Sequence, residues 1–82
     1  MKILNKYEAQ TTLRNCLYII EDYHDDETYR KEFDPELEGE VLDGIREALD
    51  VLHSEIVVEG NSIQDFIDNG LYDAVYDFWE SH

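Results

Sequence analysis

Eighty-two residues, 43% of them apolar and 12% aromatic, supply one small core and leave no room for a second domain, so residues 1–82 are read as a single folding unit. Against 21 Asp and Glu stand only 6 Lys and Arg, a net charge of -15 that repels nucleic acid and anionic lipid and draws in basic protein surfaces with fast, salt-sensitive association. No window approaches the roughly 20 apolar residues of a membrane span, and MKILNKYEAQ has no apolar run of signal-peptide length, so a cytoplasmic protein is expected.

From Tyr7 to about Tyr23, the positions Ala9, Leu13, Cys16, Leu17, Ile20 and Tyr23 recur at three and four, the stripe of an amphipathic first helix. Cys16 is the lone cysteine; it cannot form an internal disulfide and is expected to act as a small buried hydrophobe in a reducing compartment. The following HDDETYRKEFD loses the period and gathers charge, which predicts a fraying helix end and a loop. Asp34-Pro35 then combines an N-cap with a proline at the first helical position. A second helix is predicted from Pro35 to about Ser54, carrying Leu37, Val41, Ile45, Leu49 and Leu52 on one face, with Ile56 continuing the period. Gly39 and Gly44 inside it mark a kink or a close approach to a neighbour. His53 is expected to edge the core or cap this helix.

The stretch EIVVEG at 55–60 has the β-branched composition of a short strand, whose partner would have to be the N-terminal KIL segment or a second subunit. Gly60-Asn61-Ser62 predicts a turn, and Ser62 with Asp65 resembles a capping box. The third helix follows, with Ile63, Phe66, Ile67, Leu71, Ala74, Val75, Phe78 and Trp79 on its apolar face and Asn69-Gly70 as a point where it can break in two. The expected fold is an all-α three-helix domain, or a small α+β unit if 55–60 pairs. A core of this size has little margin, and a homodimer is expected to finish burying it.

The outer face of the second helix carries Glu36, Glu40, Asp43, Glu47 and Asp50 at spacings of four, three, four and three. At 1.5 Å per residue that seam spans roughly 21 Å, and each like-charge pair costs the helix a few tenths of a kcal/mol. It is either a solvated face of an acidic protein or a rigid row of charge that a Lys/Arg groove built for DNA phosphates cannot easily refuse. The outer face of the third helix repeats the pattern with Asp65, Asp68, Asp73, Asp77 and Glu80, interleaved with Tyr72 and Tyr76, which suit either an interface or the inside of the bundle. Glu21, Asp22, Asp25, Asp26 and Glu27 form a third acidic patch after the first helix. Residues 47–82 hold nine carboxylates and no lysine or arginine.

Asp22, His24 and Asp26 fit neither a calcium-binding EF-hand loop nor a zinc-binding H-E-x-x-H helix, so no metal and no other cofactor is expected. There is no glycine-rich phosphate loop and no Ser or Cys with a recognisable His partner, so an enzyme is not expected.

In size, charge and helical carboxylate rows, over the whole chain, the protein resembles the phage-encoded DNA-mimic inhibitors, most nearly the anti-restriction nuclease proteins of T-even phages. The resemblance implies a dimeric inhibitor, working in the host cytoplasm, whose acidic surface displaces DNA from a restriction enzyme or a nucleoid protein. An immunity or antitoxin protein that blocks a basic nuclease, or a phage adaptor on the transcription machinery, would carry the same charge.

Overall fold

Asn5 starts the first helix with a reciprocal cap: its side chain accepts from the Glu8 N–H at 2.8 Å, and the Glu8 carboxylate accepts from the Asn5 N–H at 3.2 Å. The computed structural model describes residues 4–81; Lys2 and Ile3 of the KIL segment, and His82, lie outside them. Helix α1 runs Lys6–Asp25 and buries Ala9, Leu13, Cys16, Leu17 and Ile20, five of the six positions in its predicted stripe, with Tyr23 half-buried at its end.

Where a loop was expected, residues Glu27–Lys31 form a one-turn helix, α2. Asp26 caps it by accepting from the Tyr29 N–H at 3.1 Å. Arg30 reaches back to donate to the carbonyls of Tyr23 and His24 at 3.4 and 3.2 Å, filling acceptors left open at the end of α1. Phe33 stands edge-on to Tyr23 and tilted to Tyr29, with ring centroids 5.4 and 5.5 Å apart. A single turn is too short to display a helical period, which is why the charged composition concealed it.

Helix α3, Pro35–Val51, begins where Asp34-Pro35 predicts, with the Asp34 carboxylate accepting from the Glu36 N–H at 2.9 Å. Its buried face, Val41, Leu42, Ile45, Ala48 and Leu49, packs on α1, and Gly44 lies close against it. A Cβ there would lie 3.3 Å from the Cys16 Sγ and 3.5 Å from the Thr12 methyl, whereas one at Gly39 would meet nothing within 4 Å. Burial raises the Cys16 thiol pKa to about 11.

The helix ends three residues earlier than its periodicity suggests. His53 takes a left-handed conformation, φ 59°, its N–H bonding to the Asp50 carbonyl at 3.1 Å and that of Ser54 to the Leu49 carbonyl at 2.9 Å. This is a Schellman stop with histidine at the position glycine usually fills. His53 is exposed, so it ends the helix through its backbone and does not edge the core. The left-handed region costs a non-glycine residue on the order of 1 kcal/mol. His53→Gly is therefore expected to raise stability by about 0.5–1 kcal/mol, seen as a higher urea midpoint at unchanged slope; a lower midpoint would mean that the imidazole itself holds the turn.

Residues 55–60 join no strand ladder, and among the described residues there is no strand at all. Arg46 holds the segment instead: Nη2 donates to the Gly60 carbonyl at 2.6 Å and Nε to that of Val58 at 3.3 Å. The segment is stapled to α3 by a side chain, with Val58 buried and Val57 68% exposed.

Beyond it the third helix is two. Helix α4 spans Ile63–Asp68, with the Ser62 hydroxyl accepting from the Asp65 N–H at 3.0 Å, and the Glu38 carboxylate accepts from the Ile63 N–H at 3.1 Å. Gly70, at φ 72°, turns the chain into α5, Leu71–Glu80. The result is all-α, with five helices among the described residues in place of the three expected. Helix α1 is central, packing against α2, α3 and α5, while α4 leans on α5. Phe66 is the largest fully buried side chain, in a core with Leu13, Ile20, Leu42, Ile45, Ile63 and Val75.

Candidate partner-binding surface

Glu36, Glu40, Asp43, Glu47 and Asp50 are all exposed on one uninterrupted helix, α3. Two ion pairs occur among the described residues, Glu27 with Lys31 at 3.2 Å and Asp43 with Arg46 at 3.1 Å. Asp43 is thus the one member of the row with a cationic partner, and Arg46 divides its charge between that carboxylate and two carbonyls. The remaining four make no ion pair among the described residues. Glu38, on the same helix but outside the row, is spent on capping α4.

The second row is arranged differently from its sequence spacing. The break at Gly70 puts Asp65 and Asp68 on α4 and Asp73, Asp77 and Glu80 on α5, so they do not form one helical line. All five are exposed; Asp68 accepts from the Gln64 amide at 2.9 Å. Helices α3 and α5 both pack on α1, and the start of α4 lies beside α3, where the Glu38 carboxylate meets the Ile63 N–H and Arg46 meets the Gly60 carbonyl.

Tyr72 and Tyr76 are half-buried and rest against the core, with stacked rings 6.0 Å apart at their centroids. Trp79 continues the series at 5.9 Å from Tyr76. The Tyr72 hydroxyl donates to Glu21 at 3.2 Å, which ties α5 to the acidic patch at the end of α1. Desolvation first, then the charge and hydrogen bond of Glu21, push the Tyr72 phenol up to about 12, so it remains a donor. A hydrogen bond to Glu80 and its charge raise Tyr76 in the same direction.

Helices α1 and α5 run antiparallel, since Tyr7 and Arg14 share a cleft with Trp79 and Glu80, while Glu21 and Asp25 share another with Tyr72 and Asp73. The apolar period of α1 does not mark its side of these clefts. Tyr7 and Tyr18, 76% and 55% exposed, sit off the buried stripe. Their spacing of seven and four from Arg14 puts all three on one helical face, and large aromatic side chains on the solvent side of an amphipathic helix were the available signal.

Among the described cations Arg30, Lys31 and Arg46 are engaged within the chain, while Lys6 and Arg14 make no ion pair among the described residues. No described group of three or more His, Cys, Asp or Glu is arranged to hold a metal ion, and no helix of the described residues is long and apolar enough to cross a membrane. Set against known protein families, curated proteins and solved structures, the chain matches none.

Proposed function

We propose that the protein is an acidic DNA mimic that inhibits a DNA-binding host protein, a restriction endonuclease in the first instance, by occupying its basic DNA groove. The observation that carries this reading is the exposed α3 row, of which only Asp43 forms an ion pair among the described residues. A helix that leaves four carboxylates unpaired on one side pays repulsion with no internal return, which makes sense if the compensating charge is on a partner. Lys and Arg that read phosphates supply most of a protein's non-specific affinity for DNA, so competition for those side chains is enough to release it. Neither a dimer nor direct nucleic-acid contact is required for that competition.

The test is displacement of labelled duplex DNA from a basic restriction endonuclease across a salt series. DNA release is expected at low salt, with the affinity of the inhibitor falling steeply between 50 and 200 mM salt, by roughly 10-fold or more. Inhibition that persists undiminished in high salt, or a ternary complex holding DNA and inhibitor together, would remove mimicry as the mechanism.

A further inference from the structure

We infer that the groove between α1 and α5 is an arginine-reading docking surface, and that the partner seated in it presents arginine side chains to Tyr72 and to the carboxylates of Glu21, Asp25 and Asp73. It shares with the proposed function only the cationic nature of the partner. The α3 row asks for positive charge; this groove asks for a particular kind.

At the Gly70 end lies a cleft of about 350 Å³ with Ile20 and Ile67 among its lining residues, Tyr72 beside them and Glu21, Asp25 and Asp73 contributing carboxylates. That composition matches an arginine side chain part by part. The apolar residues take the methylene stem, the carboxylates take the planar fork in pairs, and an aromatic face takes the flat guanidinium by stacking. Lysine offers a point charge without the plane, so it satisfies the carboxylates and forfeits the stack. Asp25 and Asp73 form no ion pair among the described residues, and Glu21 receives only the neutral Tyr72 hydroxyl.

The aromatic series continues from the cleft along α5. Tyr72, Tyr76 and Trp79 follow one another along α5 at centroid separations of 6.0 and 5.9 Å, with Tyr18, 55% exposed, across from them on α1. A separate cleft between the same two helices holds the chain's own Arg14 beside Trp79 and Glu80, which directs incoming cations toward the Gly70 end. A second copy of this chain is a poor occupant, because it brings another net charge of -15.

Calorimetric titration of the whole chain with hexaarginine and with hexalysine, two probes of equal charge, tests the assignment. Hexaarginine is expected to bind about five- to tenfold tighter at low salt. Tyr72→Leu should bring that ratio close to one. Asp25→Asn with Asp73→Asn, both at exposed positions, should weaken hexaarginine binding while circular dichroism stays unchanged, and Glu40→Gln with Glu47→Gln should leave the ratio as it was. Equal binding of the two peptides by the unaltered protein, or an arginine preference that survives both groove variants, overturns the inference and leaves charge competition at α3 intact. A retained arginine preference with no release of DNA overturns the proposed function and leaves the groove standing. Sedimentation of the Tyr72→Leu variant should match that of the parent; loss of a dimer there would assign the groove to a second copy and overturn the arginine reading.

Discussion

Changing Glu40, Asp43 and Glu47 together to lysine is expected to weaken the displacement of DNA from the target on the order of 100-fold or more, with helix content unchanged. The three positions are exposed and occupy the middle of the α3 row. Each reversal swaps an attraction for a repulsion inside a cationic groove, where misplaced like charge costs several kcal/mol. The net charge moves from -15 only to -9, since each reversal changes it by two, so the molecule as a whole stays strongly acidic. A large loss would therefore report the row and not the overall field. Arg46 loses its pair with Asp43 in this variant but keeps its two carbonyl acceptors, which protects the 55–60 segment. Displacement of DNA by the triple variant at the original concentration would show that α3 is not the face that meets the target.

The largest effect on stability is expected at Phe66. Truncation of a fully buried phenylalanine to alanine removes its transfer energy and leaves a cavity, a loss of about 3–5 kcal/mol. A domain of this length has roughly 4–12 kcal/mol to lose. Phe66→Ala should thus lower the thermal midpoint by roughly 12–40 °C, measured by far-ultraviolet circular dichroism. Phe66 belongs to α4, a six-residue helix that cannot persist without tertiary packing. A shift of only a few degrees would mean that α4 contributes little to the core, contrary to its complete burial at Ile63 and Phe66.

Legibility from sequence followed the length of each element. Helices α1 and α3 were readable because twenty and seventeen residues give the apolar period several turns in which to repeat. The proline and aspartate at the start of α3 act locally, so their effect is visible without knowledge of the fold. Helix α2 was not readable, being one turn held by Asp26 at its start and by the packing of Tyr23, Tyr29 and Phe33. The extended path of 55–60 depends on Arg46, which is 12 and 14 positions away from the carbonyls it holds, and no local pattern encodes that reach. The α3 row was plain, since a single helix carries it. The joining of Tyr72 to Glu21 was not, because 51 residues separate them and only the antiparallel packing of α5 on α1 brings them together.

Cys16 lies sealed between α1 and the bare backbone of Gly44, 7% exposed and held in its protonated form. A thiol in that state is a poor nucleophile with little surface open to reagents, so alkylation is expected to run mainly through molecules in which these two helices have parted. The single thiol is thereby a built-in clock for breathing of the fold, readable by mass spectrometry in the unmodified chain. Slower labelling in the presence of a target would record how firmly binding clamps the pair shut.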